Sequence, residues 1–399
     1  MGDQETGDLA RVRIRVKGRG ALPSMYLQPR SQPKKRRIWS WFLSVVIALS
    51  LAWYLYSKQM AILESVRGPL PTPTPTEISA AEYLAVGDRL FEEGRFDEAL
   101  SAYRRATELD PMQASAYARR GRILALRHAG EEAVRLARRA VEIDAESAEN
   151  QAILGMVLDW NGRPTEAVNA CTKAIQLDPD LALGYAYLAE ALGDEGRVAE
   201  GYEIARKAMQ LDDQNVFVRR NLGYIYELMG RYQDAIREFE GALEVNPNMA
   251  FVHLDLGRNY RALGKLQEAT EHFRQATELD PQDPQGHDQL GWTYMAQGLY
   301  EAAIEELQKA LQVDPNFGTA YGHLGVAYYV QRNYEEAIHH LEKAIALGAR
   351  SEEYYYELGF SYAYIGQCDK AIPWFEQALL LYPDSQMAKQ GLDSCQKGK

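Results

Sequence analysis

A repeat of 34 residues dominates this 399-residue sequence and limits the folds that it can adopt. Nine consecutive units fill residues 80–385 without an insertion. The eighth place is glycine in eight units, and the twentieth place is alanine in eight units. The twenty-seventh place is alanine in all nine units, at Ala106, Ala140, Ala174, Ala208, Ala242, Ala276, Ala310, Ala344 and Ala378. A fixed period of this kind predicts a stack of similar units in place of one large core.

Apolar residues within each unit recur at intervals of three and four, as at Tyr83, Val86 and Leu90. Two such stretches per unit predict a pair of amphipathic helices. The small residues at the eighth, twentieth and twenty-seventh places allow the axes of the paired helices to approach closely. A glycine between the stretches predicts the turn, and Asp110 with Pro111 is typical of the residues that end a unit. We therefore expect an all-α chain.

The small residues at these three places and the late proline resemble the tetratricopeptide repeat. An aromatic residue at the twenty-fourth place adds to the resemblance, at Tyr103, Phe239, Phe273 and Phe375. The resemblance implies a right-handed superhelical solenoid of nine helix-turn-helix repeats with a concave inner face. The late proline is replaced at Ala145, Asp213 and Ala349, which leaves three repeat boundaries less certain. The implied repeats are residues 80–113, 114–147, 148–181, 182–215, 216–249, 250–283, 284–317, 318–351 and 352–385.

Residues 386–399 follow the last repeat and are predicted to form a C-terminal capping helix. Ala388, Leu392 and Cys395 fall on one helical stripe that would cover the end of the stack.

The uncharged residues 38–56 predict a transmembrane helix that precedes the repeats. Nineteen residues at about 1.5 Å each span roughly 28 Å, which is close to the thickness of the hydrocarbon core. Trp41 and Trp53 lie near opposite ends of the segment, as aromatic residues do at membrane interfaces. No Ala-x-Ala-like cleavage site follows Tyr56, so an uncleaved signal anchor is favoured over a removable signal peptide.

The distribution of charge predicts the orientation of this anchor. Residues 1–37 hold 10 Lys/Arg and 3 Asp/Glu, whereas residues 57–399 hold 34 Lys/Arg and 53 Asp/Glu. Because basic flanks stay in the cytoplasm, we expect the tail inside and the repeats outside the cytoplasmic membrane. The tail is expected to be disordered, and whether it also binds lipid stays open. Residues 57–79 contain alternating proline and threonine, which predicts an extended spacer.

The composition excludes several classes of function. An acidic body argues against nucleic acid as a partner, since phosphate binding needs a cationic face. The sequence contains no P-loop, nucleophile elbow or zinc-protease motif, and we predict no catalytic residue, metal or cofactor. Cys368 and Cys395 are candidates for pairing in an oxidising compartment, but the sequence does not give their separation.

The resemblance places the second, fifth, sixth, ninth, twelfth and thirteenth residues of each first helix on the concave face. In repeats five to nine these places are rich in aromatic and arginine residues, which often anchor protein interfaces. Three arginines there predict an acidic or carboxylate-bearing ligand. The alternative is that Glu227 and Asp255 neutralise those arginines internally. The predicted groove comprises Arg220, Asn221, Tyr224, Phe251, Arg258, Arg261, Trp292, Met295, Tyr329, Tyr356 and Phe360.

These features predict a membrane-anchored, non-enzymatic scaffold that binds a protein or extended peptide. Its expected role is in extracytoplasmic complex or envelope assembly. Two alternatives remain: a cytosol-facing receptor for protein import on an organelle membrane, and an accessory subunit of a separate membrane enzyme. The sequence identifies neither the partner nor the oligomeric state.

Overall fold

A computed structural model of this chain describes residues 36–67 and 78–397. The chain divides into two units, Met1–Thr76 and Glu77–Lys399. Every element in the described residues is an α-helix, which confirms the all-α prediction. Residues 1–35 of the predicted tail and residues 68–77 of the predicted spacer lie outside the described residues.

The first unit contains helix α1, Arg36–Arg67, which includes the whole predicted apolar segment. The helix continues beyond Tyr56 to Arg67, so that residues 57–67 are helical and do not belong to an extended spacer. This extension is reasonable because neither glycine nor proline interrupts the sequence before Gly68. Its apolar side chains between Trp41 and Leu63 are exposed, with Trp41 at 74% and Trp53 at 73%. Within it, Trp41–Leu63 is long and apolar enough to cross a membrane.

Eighteen helices of the second unit form nine consecutive packed pairs. Each first helix begins at the first residue predicted for its repeat, as Ala80 and Ala114 illustrate. The pairs are α2 Ala80–Glu92 with α3 Phe96–Leu109, α4 Ala114–Leu126 with α5 Gly130–Ile143, α6 Ala148–Trp160 with α7 Pro164–Leu177, α8 Ala182–Asp194 with α9 Val198–Leu211, α10 Val216–Leu228 with α11 Tyr232–Val245, α12 Ala250–Ala262 with α13 Leu266–Leu279, α14 Pro284–Ala296 with α15 Tyr300–Val313, α16 Gly318–Val330 with α17 Tyr334–Ala346, and α18 Glu352–Tyr364 with α19 Cys368–Leu381.

In repeats one, five, six and nine, the glycine at the eighth place makes room for the aromatic ring at the twenty-fourth place. A Cβ atom on Gly257 would lie 2.5 Å from the ring of Phe273, and one on Gly87 would lie 2.4 Å from the ring of Tyr103. Both distances are far below van der Waals contact, so a larger residue at the eighth place would push the helices apart. The sequence repeat thus fixes the packing inside each pair.

The turn between paired helices requires a residue with positive φ. Glycine occupies this place in seven repeats, at Gly94, Gly162, Gly196, Gly230, Gly264, Gly298 and Gly366. His128 and Arg332 occupy it in repeats two and eight, with φ of 56° and 61°. Such a conformation is uncommon for residues that carry a Cβ atom, so these two turns depart from the pattern at a conformational cost.

Helix α20, Gln386–Lys397, packs against both helices of repeat nine, at the place predicted for a cap. Ala388 and Cys395 are buried and Leu392 is half-buried, as the predicted stripe requires. Cys395 forms a disulfide with Cys368 at the start of α19, and their Cα atoms are 5.3 Å apart. The bond therefore fastens the cap covalently to the last repeat.

Side chains of repeats one and two also contact repeats five to seven across the interior of the stack. Arg127 donates hydrogen bonds to both carboxylate oxygens of Asp280, at 2.7 and 2.8 Å. On the same side, the His128 ring lies 2.6 Å from the side-chain oxygen of Gln285. Asn246 donates to the carbonyl oxygen of Glu92 at 2.9 Å. Repeats that lie about four units apart in the sequence thus contact each other. These contacts were not predicted from the sequence.

Candidate functional site

The predicted groove residues fall into two groups that lie in different environments in the fold. Arg220, Asn221, Tyr224, Phe251, Arg258 and Arg261 lie in repeats five and six, where side chains of other repeats contact the inner face. Trp292, Met295, Tyr329, Tyr356 and Phe360 lie in repeats seven to nine and are all half-buried. The expected continuous groove is therefore not one surface.

Aromatic rings from distant repeats occupy the inner face of repeats five and six. Phe217 lies between Phe91 of repeat one and Phe251 of repeat six, with ring centroids 6.3 and 5.2 Å away. The guanidinium group of Arg122 lies 4.3 Å from the Phe91 centroid and 5.4 Å from the Phe217 centroid. Phe251 is 5% exposed, so the sequence-based view of it as an exposed groove residue is wrong. Its ring packs against Phe217 in the interior.

Arg220 lies at the centre of a buried ionic network. Its guanidinium group pairs with Glu190 of repeat four and, at 2.7 Å, with Asp255 of repeat six. Its side chain is 5% exposed, and the two carboxylate side chains are 5% and 3% exposed. Burial raises the pKa of Glu190, and Arg220 partly offsets this effect by favouring the charged carboxylate.

The other groove arginines also have partners. Arg258 pairs with Asp255 and lies 3.9 Å from Glu227. Arg261 donates to the side-chain oxygen of Gln289 at 2.6 Å. The sequence-based premise of unpaired arginines is therefore wrong for Arg220 and Arg258, and internal neutralisation by Glu227 and Asp255 is what the structure shows. Asn221 is also internal, because it is fully buried and donates to the carbonyl oxygen of Ala186 at 2.9 Å.

A cavity of about 370 Å³ remains beside this network, and we call it the interior cavity. Asp159 is 4% exposed, and neither of its carboxylate oxygens has a hydrogen-bond partner in the described residues. Burial, together with the nearby carboxylates of Glu190 and Asp194, raises the pKa of Asp159 to about 9. The cavity is lined by Leu126, His128, Asp159, Trp160, Gly162, Glu190, Asp194, Arg220, Tyr224, Phe251, Leu254, Asp255, Arg258 and Gln285.

Hydrogen bonds and ring contacts connect the polar and aromatic side chains around this cavity. The Trp160 indole donates to Glu190 at 3.0 Å, and the Tyr224 hydroxyl donates to Asp194. The His128 ring stacks on Trp160, with centroids 6.0 Å apart. Tyr224 was predicted from the sequence to line the groove, whereas Asp159, Trp160 and His128 were not. Asp159 stands at the twelfth place of its first helix, which the resemblance assigns to the concave face, so its position was a usable signal.

A second surface lies on the first helices of repeats seven to nine. We call it the aromatic groove and define it as Trp292, Met295, Tyr329, Tyr356, Phe360 and Tyr364. Neighbouring repeats contribute contacting rings, since Tyr329 and Phe360 lie 6.3 and 6.0 Å from Tyr364. Tyr364 is 58% exposed, which is unusual for a large ring in a packed repeat. The fold therefore presents five of the predicted residues together, with one more aromatic residue at the rim.

Glu357 lies beside this surface and is 5% exposed, with one carboxylate oxygen unpaired in the described residues. Burial raises its pKa to about 9, and the charge of Glu353 adds to the increase. The residues that define the groove include no lysine or arginine. The arginines of the cationic patch predicted from the sequence, Arg220, Arg258 and Arg261, are therefore not part of this groove.

Histidine side chains of neighbouring repeats do not converge on one point. His253 lies 3.1 Å from His272, whereas His287 lies 2.7 Å from Glu306. Across the described residues, no group of three His, Cys, Asp or Glu side chains is placed to hold a metal ion.

Solved structures similar to this chain share its fold. A chain of the APC/C hetero-tetramer Cut9-Hcn1 is 16% identical with a TM-score of 0.59, covering 79% of this chain and 76% of that one. A chain of the human IFIT1 dimer with PPP-AAAA is 21% identical with a TM-score of 0.52, covering 76% of this chain and 83% of that one. No curated protein matches the sequence significantly.

Models of the tetratricopeptide repeat match several parts of the sequence. One matches residues 215–282 and 316–384, a second matches residues 87–126 and 291–331, and a third matches residues 148–181. Together these ranges cover more than half of the chain and fall within the nine helix pairs. The chain therefore belongs to the tetratricopeptide repeat family.

Proposed function

We propose that this chain is a membrane-anchored, non-enzymatic scaffold that binds a protein or extended peptide through the aromatic groove. The observation that supports this most directly is the cluster of partly exposed rings on the first helices of the last three repeats. Domains of this family bind proteins or peptides. Large rigid aromatic side chains commonly supply much of the binding energy at such interfaces. We place the role outside the cytoplasmic membrane, in complex or envelope assembly.

The two carboxyl groups beside the groove favour a basic partner segment over the acidic one expected from the sequence. Glu353 and Glu357 lie close together, and burial raises the pKa of both carboxyl groups. A lysine or arginine side chain would stabilise their charged forms, whereas an acidic ligand would add repulsion. The occupant we propose is therefore an apolar segment that carries a basic residue.

Helix α1 supports the membrane anchor of this proposal. Its side chains between Trp41 and Leu63 are exposed, and this stretch is long and apolar enough to cross a membrane. A bilayer would bury this surface, and the positive charges of the preceding tail would hold the amino terminus in the cytoplasm.

The disulfide between Cys368 and Cys395 supports an oxidising compartment for the repeats, because cytosolic thiols are kept reduced. We expect the bond to be present in cells. Cells are lysed in acid, and free thiols of the denatured full-length protein are labelled with maleimide-polyethylene glycol before and after reduction. With three cysteines in the chain, we expect one addition before reduction and three after it. Three additions before reduction would instead favour the cytosol-facing receptor.

Site-specific photo-crosslinking tests the aromatic groove. A photoreactive phenylalanine at Phe360 or Tyr364 of the full-length membrane protein should crosslink a partner in intact cells. The same residue at Leu380, which is 74% exposed and lies on the second helix of repeat nine, is the matched control. Replacing Tyr329 and Phe360 by alanine should lower the yield of a crosslink formed at Tyr364 by about tenfold or more, since interface anchors contribute on the order of 1–2 kcal/mol each. Equal yields at all three positions, or no effect of the alanine changes, would refute the groove assignment.

A further inference from the structure

The interior cavity has features of a ligand site that is separate from the aromatic groove. We propose that it binds a small organic cation that carries an ammonium or guanidinium group, with Asp159 as the main acceptor. This proposal does not depend on the proposed scaffold function. It rests on the charge balance, an unsatisfied buried carboxyl group, the surrounding rings and a strained turn.

With all of its carboxyl groups ionised, the lining of the cavity carries a net negative charge. Its lining includes four carboxyl groups, those of Asp159, Glu190, Asp194 and Asp255, but only two guanidinium groups, those of Arg220 and Arg258. Arg220 is shared between Glu190 and Asp255, and Arg258 also pairs with Asp255. Asp159 and Asp194 are left without a cationic partner in the described residues. A positively charged ligand would complete the balance.

Asp159 also lacks hydrogen-bond donors. Both of its carboxylate oxygens are buried without a partner in the described part of the chain. Buried polar atoms in native proteins are nearly always satisfied, so such an orphan indicates a bound group or water that completes it. A ligand with several N–H donors would satisfy both oxygens and supply the missing positive charge.

The aromatic rings around the cavity are suited to a cation. The Arg220 guanidinium lies 5.0 Å from the Trp160 centroid and 5.1 Å from the Tyr224 centroid. These rings therefore already stabilise one cation, and a ring face within about 6 Å of a charge contributes to cation binding. The cavity volume of about 370 Å³ falls in the lower part of the range for small-molecule sites.

The backbone conformation of His128 gives further support for a ligand site in the cavity. Its turn has positive φ, and seven other repeats use glycine at the same place. Non-glycine residues in this conformation are often retained where their side chains serve a function. Here the imidazole lines the cavity and contacts Gln285 from across the interior.

Direct binding to the purified full-length protein tests this proposal. Isothermal titration is carried out with putrescine and agmatine, and with 1,4-butanediol as a neutral analogue of putrescine. We expect saturable binding of at least one of the two cations and none of the diol. A short blocked peptide with a single arginine tests whether the cation is instead a side chain of a partner protein. Binding of that peptide without binding of either free cation would overturn the small-molecule assignment.

Three variants are compared with the parent in this titration, and one of them is a matched control. Asp159→Asn should weaken cation binding at least tenfold. Glu357→Gln changes another buried, incompletely paired carboxyl group, but one outside this cavity, and should leave binding unchanged. His128→Gly restores the residue common at this turn and should weaken binding at least threefold without loss of helical signal. No saturable binding of either cation, or equal affinities in the parent and Asp159→Asn, would refute the proposal.

Discussion

Replacement of Arg220 by alanine is expected to destabilise the repeat unit by about 3–5 kcal/mol. The change would leave Glu190 and Asp255 without their shared cation, although these residues are only 4% and 2% exposed. Uncompensated buried charge is among the largest single-residue penalties in proteins, because neither solvent nor a counter-ion stabilises it. Urea unfolding of the full-length protein, followed by circular dichroism, should show a clear fall in the midpoint of the transition.

Arg206→Ala is the matched control for this experiment. Arg206 is also a helical arginine with a glutamate partner, but its side chain is 53% exposed and the pair is 3.7 Å apart. Its removal should change stability by less than about 0.5 kcal/mol. A second test combines Arg220→Met with Glu190→Gln and Asp255→Asn, which removes all three charges and should recover much of the loss. If Arg220→Ala and Arg206→Ala behave alike, Arg220 faces solvent as the sequence analysis assumed and the interior is open.

The helix pairs were predictable because the information that determines them is local. Within a repeat, Gly257 and Phe273 are 16 residues apart and pack directly, and the same contact recurs in other units. Each repeat contacts mainly its neighbours, so the pattern of one unit applies to the next. The same reasoning located the cap, whose buried residues Ala388 and Cys395 continue the pattern of an amphipathic helix.

The contacts between distant repeats were not predictable in this way. Phe91 and Phe217 lie 126 positions apart, and they meet only because small rotations between successive repeats accumulate. A periodic pattern shows which places face inward but not how far apart opposite inner faces lie. For this reason Arg220 and Phe251 were correctly assigned to the inner face but wrongly expected to be accessible. The contacts described between distant repeats do not involve the aromatic residues of repeats seven to nine, and these residues remain partly exposed.

The pH dependence of stability provides the second large expected effect, and it depends on Asp159. This carboxyl group has an ordinary pKa of 3.8 in the unfolded chain and about 9 in the folded chain. The groups that face it are Glu190, Asp194 and Glu195, which raise the pKa after burial, and Arg220, which lowers it. Between the two pKa values the folded protein keeps the proton and the unfolded chain releases it. The raised pKa therefore reduces stability progressively from about pH 4 to pH 9.

Asp159→Asn should remove this loss of stability with rising pH, because the amide stays neutral in both the folded and the unfolded state. We expect the variant and the parent to have similar stabilities near pH 4. At pH 7 the variant should be more stable by up to about 4 kcal/mol, and the difference should widen until about pH 9. Denaturant midpoints measured at several pH values give the two profiles. Asp180→Asn changes an exposed aspartate at the end of repeat three and should shift stability by less than about 0.5 kcal/mol at each pH. Parallel profiles for Asp159→Asn and the parent would mean that Asp159 is ionised in the folded protein, and the raised pKa would then be wrong.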